Sequence, residues 1–154
     1  MPIKERTNIL EIQWHLKRFN QLDPKILWEI YRLREQIFII EQASLYHDID
    51  DQDLHSYHLY AIDENNKLVA YSRLYKISDH ASFGRVAVPK KLRGIGLGKQ
   101  LVIQTLMDIR KIYGKVPVKI HAQQYTKGFY QKLGFKVVSK PFMEALRMHV
   151  KMVK

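Results

Sequence analysis

The stretch Arg85–Val102, "RVAVPKKLRGIGLGKQLV", decides how this chain is read. It runs from a short apolar segment through a proline into a basic loop with glycines at 94, 96 and 98. An apolar pattern of helical period follows, so the stretch predicts strand, loop and helix in that order. Glycines spaced in this way let the backbone approach an anion closely, several N–H groups converge, and the helix adds its positive N-terminal end. Arg93 and Lys99, with Lys90 and Lys91 nearby, add full charges that suit a pyrophosphate. Two other phosphate loops do not fit. A Walker A loop needs glycine at 93 and Ser or Thr at 100, where Arg93 and Gln100 stand, which leaves no hydroxyl for Mg²⁺. A dinucleotide fingerprint needs its third glycine at 99, where Lys99 stands. An anion site and an ordinary glycine turn with a basic rim both stay open on spacing alone.

Working outward, Leu10, Ile12, Trp14 and Leu16 alternate with polar residues as in a half-buried strand. Asp23 and Pro24 read as N-cap and first residue of a helix whose buried stripe is Ile26, Ile30, Leu33, Ile37 and Ile40. Residues 56–77 predict an antiparallel hairpin turning at "DENN", and "FGRVAV" predicts a further strand stopped by Pro89. Beyond the glycine loop the helix runs through Val102, Leu106, Ile109 and Tyr113 to Gly114. "VPVKIHA" predicts a strand, "TKGFYQKLGF" a short helix ending at Gly134, and the remainder two strands near 135–138 and 143–153. The strand–helix–strand unit around the loop implies a right-handed crossover, and the hairpins imply a mixed sheet.

The chain has 154 residues, 46% of them hydrophobic and 27% charged, the size and balance of one globular domain spanning 1–154. No apolar run approaches the ~20 residues of a membrane span, and "MPIKERTNILEIQ" has no apolar stretch of a secretory signal. With no cysteine, thiol catalysis, disulfides and thiolate metal sites are excluded, and the cytoplasm is the expected location. The net charge of +11 calls for an anionic partner or a solvated basic surface. Lys and Arg are spread along the chain without a basic block, which argues against nucleic acid. His55 and His58 lack a third ligand at recognisable spacing, so no metal is expected.

The loop and its flanks resemble the acetyl-CoA-binding segment of the GNAT acetyltransferases, an Arg/Gln, two residues, Gly, one residue, then Gly/Ala signature that Arg93, Gly96 and Gly98 fill. A second hallmark of that superfamily, Tyr, three residues, Gly-Phe, matches Tyr130, Gly134 and Phe135 in "IHAQQYTKGFYQKLGF". The segment "YRLREQIFIIEQASLYHDIDDQD" is similar to the ElaA-like branch through Leu33, Arg34, Phe38, Glu41, Gln42, Tyr46, Asp50 and Asp53. "MEALRMHVKM" keeps that branch's Glu144, His149 and Met152 but departs from it in between.

The resemblance implies an α+β fold of the α/β class, a mixed, mostly antiparallel sheet of about six to seven strands flanked by helices. The sheet would splay between the fourth strand, containing Val88, and the fifth, containing Ile120. It implies an acetyl-CoA-dependent N-acetyltransferase whose pantetheine arm pairs with backbone at Val86, Ala87 and Val88. Its pyrophosphate would lie on the N–H groups of Arg93, Gly94, Ile95, Gly96, Leu97, Gly98 and Lys99, with Gln123 as a further cofactor contact. Amine attack on a thioester needs an oxyanion donor, a proton for the thiolate and a base for the ammonium. A strand N–H near Val86–Val88, Tyr130 as general acid, and Glu41, His121, Asp50 or Asp53 as base, with Glu41 and His121 preferred, are the expected suppliers. Arg34, Gln42, Asp50, Asp53 and Glu144 are expected at the acceptor, a small-molecule or peptide amine. The acidic "DIDDQD" hints that this amine is cationic. Trp28 and Tyr31 leave monomer and homodimer open. The competing reading is a non-catalytic basic module that uses the same loop on nucleic-acid phosphates.

Overall fold

The computed structural model describes residues 10–154; residues 1–9, part of the stretch read as lacking a secretory signal, lie outside them. Strands β1 (Ile12–Arg18), β2 (Tyr57–Asp63), β3 (Leu68–Ile77) and β4 (His80–Ala87) form one antiparallel sheet in chain order. Strands β5 (Lys119–Gln123), β6 (Lys136–Val137), β7 (Phe142–Glu144) and β8 (Arg147–Val153) form a second sheet, in which β8 pairs antiparallel with the other three. The two sheets meet at a single parallel bridge, Ala81 to Val118, with Ala81 N–H donating to the Pro117 carbonyl at 2.9 Å. Past that bridge β4 and β5 diverge, and the expected splay between them is present. Two antiparallel sheets flanked by helices make this the α+β arrangement that the resemblance implies.

Helix α1 (Pro24–Arg34) starts as expected, Asp23 Oδ1 accepting from the Lys25 N–H at 2.8 Å with proline at the first position. The predicted stripe does not continue unbroken to Ile40. From Glu35 to Glu41 the backbone widens to π-type bonds, Gln42 N–H donating to the Ile37 carbonyl at 3.2 Å. One extra residue per turn rotates the later side chains, so Ile37 and Phe38 are buried while Ile40 is 58% exposed. The same rotation brings Glu41 and Gln42 to the cleft.

Helix α2 (Leu97–Tyr113) begins on Gly96, at φ +84°, and ends at Gly114, whose N–H bonds the Arg110 carbonyl. It packs Leu97, Leu101, Val102 and Ile109 against one face of the first sheet, in a cluster that continues into Ile120, Val150 and Met152 of the second. Helix α1 and the π segment cover the other face with Ile30, Ile37 and Phe38 against Tyr60 and Tyr71. Helix α3 (Lys127–Lys132) follows β5 after a single 3-10 turn, Gln124–Thr126.

Two local features differ from the sequence reading. The C-terminal strands number three, because β7 and β8 are joined by a two-residue turn. That turn places Ala145 (φ +47°) and Leu146 (φ +62°) in the left-handed region without glycine, a conformation that costs about 1–3 kcal/mol per residue. In β4 the pairing shifts by one residue between Gly84 and Ala87, and the bulge holds Arg85 at φ +51°.

Candidate active site

A cleft of about 1360 Å³ lies between the diverging edges of β4 and β5. Its floor on the α2 side is the glycine loop, with Arg93, Gly94, Gly96, Gly98 and Lys99 facing it. Gly94 and Gly96 both sit at φ +84°, which L side chains rarely adopt. Gly98 is ordinary helical backbone, and a Cβ built there meets no atom within 4 Å. Nothing inside the fold reserves this position for glycine; a bare first turn facing an open cleft fits a ligand approaching its N–H groups. Ile95 is exposed and Leu97 is buried in the core, so both can take part only through backbone. The same holds for Ala87, whose side chain packs under α1. Val86 and Val88 line the cleft along the open edge of β4.

The charge of Arg93 is engaged within the protein. Its Nε donates to the Val88 carbonyl at 3.0 Å and its terminal nitrogen to Glu41 Oε2 at 3.0 Å, pinning the loop to the end of β4 and to the π segment. Glu41 is thereby committed to an ion pair rather than standing free as a base. Gln123 is likewise engaged: its amide donates to Gln42 Oε1 at 2.9 Å and accepts from Gln42 Nε2 at 3.4 Å, a reciprocal pair across the cleft.

Tyr130 lies on the cleft wall, its ring packed against Phe83, Phe129 and Phe135. Among the described residues its hydroxyl has no hydrogen-bond partner, and burial, with a smaller contribution from Tyr125, pushes its pKa well above the usual phenol range. The positive charge that would ease its acidity is absent from the groups acting on it.

His121 is half-exposed in the middle of β5, not at its end, and its Nδ1 donates to Glu144 Oε1 at 2.9 Å. A neutral imidazole held in this way turns a bare Nε2 outward. His149 Nδ1 donates to the Arg147 carbonyl at 2.8 Å, and its Nε2 lies 3.7 Å from the other oxygen of Glu144. Glu144, expected at the substrate, is therefore the orienting partner of His121.

Three of the expected acceptor contacts belong to a different structure. Arg34 is 0% exposed and Asp53 1%, so neither reaches a substrate. Arg34 donates to Asp48 Oδ2 at 3.0 Å, to Asp53 Oδ1 at 2.7 Å and to the Asp48 carbonyl at 2.7 Å. Arg73 bonds both Asp50 and Asp53 at 3.0 Å, and Arg85, projecting from the β4 bulge, reaches Asp48 at 2.7 Å. Three arginines thus neutralise three aspartates beneath the cleft. Burial works to raise the Asp53 carboxyl, but the hydrogen bond and charge of Arg34, helped by Arg73, hold it below the usual carboxylate range. Asp50, the only one of the three at the cleft, is held down in the same way by Arg73 and Arg85. Three of the four "DIDDQD" aspartates, Asp48, Asp50 and Asp53, are matched internally, and only the exposed Asp51 has no ion-pair partner among the described residues, so the stretch as a whole is no cationic-acceptor site. His58 is part of this layer. Its Nε2 donates to the Asp53 carbonyl at 2.8 Å and its Nδ1 accepts from the Tyr71 hydroxyl at 2.7 Å, so both nitrogens are occupied. Sequence reasoning missed Asp48, Arg73, Arg85 and Arg147; a lone arginine inside the apolar strand "VAYSRLY" was the one available signal.

A cleft opened by divergent strands, floored by a glycine loop at a helix N-terminus and walled by a tyrosine, is matched by comparison with known proteins. A family model described as "Acetyltransferase (GNAT) domain" matches residues 32–154. The chain belongs to the GNAT acetyltransferase family. This GNAT chain is 33% identical to Protein ElaA of Escherichia coli over 147 residues, covering 93% of this chain and 96% of that one. The crystal structure of E. coli ElaA superposes with a TM-score of 0.86 over 94% of this chain and 99% of that one. An acyl-CoA N-acyltransferase from Pseudomonas aeruginosa, 30% identical, superposes with a TM-score of 0.88 over the same shares. The PaiA N-acetyltransferase of Thermoplasma acidophilum, in complex with coenzyme A, shares the fold with a TM-score of 0.64 over 92% and 98% at 16% identity. Among the described residues, no helix of this GNAT chain is long and apolar enough to cross a membrane.

Proposed function

We propose that this GNAT chain, acting as one catalytic domain, transfers an acetyl group from acetyl-CoA to a primary amine by direct attack inside the cleft. The observation that carries the reading is the convergence on one cleft of the bare loop at the α2 N-terminus, the open edge of β4, the Tyr130 hydroxyl and the His121–Glu144 pair. The complex of Thermoplasma PaiA with coenzyme A supports the same kind of ligand here. The loop N–H groups from Arg93 to Lys99 would hold the diphosphate, and backbone at Val86–Val88 the pantetheine arm.

Bound there, acetyl-CoA supplies an activated thioester. His121 Nε2 takes a proton from the incoming ammonium, which cannot attack while protonated, and Glu144 holds the ring in the accepting tautomer. A β4 N–H near Val88 stabilises the negative charge that develops on the carbonyl oxygen. As the C–N bond forms, the acylated nitrogen gives up its surplus proton to solvent, from which Tyr130 is later reprotonated; as the C–S bond breaks, Tyr130 donates its proton to the departing sulfur. In water that last transfer is uphill by roughly 2 kcal/mol, since a thiol titrates near 8.5 and a phenol near 10. Burial raises Tyr130 further, yet it also raises the thiol that departs against the same wall, so the mismatch between the two is smaller than the tyrosine's shift alone.

The chain has no cysteine, so a thiol reagent sees only free coenzyme A. Thiol release that appears only when acetyl-CoA and an amine are both present is the expected result. Failure of millimolar acetyl-CoA to raise the melting temperature would refute the reading.

A further inference from the structure

Four arginines line the cleft, and three have carboxylate partners: Arg73 and Arg85 on the aspartate layer, Arg93 on Glu41. The fourth, Arg147, has none among the described residues. It is half-buried, donates once to the Gln42 carbonyl at 3.3 Å, and lies with its guanidinium carbon 5.7 Å from the centre of the Tyr125 ring. A guanidinium has five N–H donors, so most of its capacity is unused. The cleft carboxylates Glu41, Asp50 and Glu144 all have partners, whereas the lysines at the cleft, Lys99, Lys119 and Lys151, are solvent-exposed. The charge left over at the acceptor end is therefore positive and is concentrated on a half-buried fork suited to a carboxylate.

Arg147 also stands next to the base. It opens β8 directly opposite Glu144 on β7, so the two side chains leave the same face of the hairpin. Glu144 nevertheless bonds His121 at 2.9 Å rather than Arg147. The strained Ala145–Leu146 turn holds these positions in register.

We propose that the acceptor is a free amino acid whose carboxylate is bound by Arg147 while its amine is presented to His121 and Glu144. The proposal rests on the acetyltransferase reading and narrows its substrate.

The test measures thiol release from acetyl-CoA with a panel of free L-amino acids, their α-amides and the matching decarboxylated amines. Acetyl-CoA affinity is measured separately by calorimetry. At least one free amino acid is expected to exceed its amide and its amine in kcat/KM by roughly 10- to 100-fold, the factor carried by one charge-assisted hydrogen bond. Arg147→Gln should bring that ratio close to one with unchanged acetyl-CoA affinity. Should this variant misfold, Arg147→Lys, which keeps the charge and loses the fork, should lower the ratio without removing it. Amides or amines used as well as the acids, a ratio that survives Arg147→Gln, or acetyl-CoA binding with no panel member acetylated would each overturn the proposal alone. Acetyl-CoA failing to bind would instead sink the acetyltransferase reading beneath it.

Discussion

Tyr130 and Arg34 show how one side chain's surroundings set its work. Tyr130 matches the family signature, and the fold places it on the cleft wall with no hydrogen-bond partner for its hydroxyl among the described residues. Replacing it by phenylalanine keeps the packing against Phe83 and Phe135 and removes only the hydroxyl group. Tyr130→Phe should leave the Kd for acetyl-CoA within about twofold while kcat falls roughly 100-fold or more, the usual weight of a general acid; calorimetry and thiol release check the two halves. Arg34 matches the ElaA-like pattern equally well, but its charge is consumed beneath the site. Arg34→Met leaves Asp48 and Asp53 buried without their main counter-charge, and a loss of about 3–5 kcal/mol in urea unfolding is expected. Both residues were legible as family positions. Their roles diverge because exposure, which the chain does not spell out, separates a reactive group from a structural one.

The glycine loop and the π segment carry the site's geometry at the scale of elements. The loop was readable at once, since alternate glycines before a helical period leave few other conformations. The π turn after α1 was not: "REQIFIIEQ" has a fair helical period, and only packing of Ile37 and Phe38 against Tyr60 and Tyr71 selects the wider turn that brings Glu41 and Gln42 into the cleft. A steric test of the loop is best placed at Gly98. Valine at Gly96 would strain a backbone at φ +84°, confusing folding with binding, whereas Gly98 is helical with open space at its Cβ. Gly98→Val should change unfolding free energy by no more than about 1 kcal/mol, as helix propensity allows. Its acetyl-CoA affinity should drop roughly 10- to 100-fold as a backbone hydrogen bond to the diphosphate is lost.

Across the whole molecule, the buried polar layer makes stability depend on pH in one direction. Burial above all lowers the His58 pKa, against the opposing pull of the Asp53 carbonyl, so the folded protein keeps this ring neutral. Unfolded histidine titrates near 6.5, and below that pH the unfolded chain binds a proton that the folded one refuses. Asp50 and Asp53 are held below the ordinary carboxylate range, so their contribution is present above about 4 and is lost as pH falls through their lowered values. Both terms destabilise toward acid. The melting temperature should fall in two stages, from about pH 6.5 downward and again below about pH 4, with His58→Gln removing the first stage in a calorimetric series. By itself the sequence determined the glycine loop, the family and the order of the helices and of every strand but β7, because periodicity and glycine spacing act over a few neighbouring residues. Only the tertiary structure decided that six charges neutralise one another at the base of the cleft, that Glu144 orients His121, and that Arg147 meets the Gln42 carbonyl but no carboxylate among the described residues. Those outcomes depend on groups up to 105 positions apart, as Gln42 and Arg147 are, and no local pattern reports which distant charge will arrive beside which.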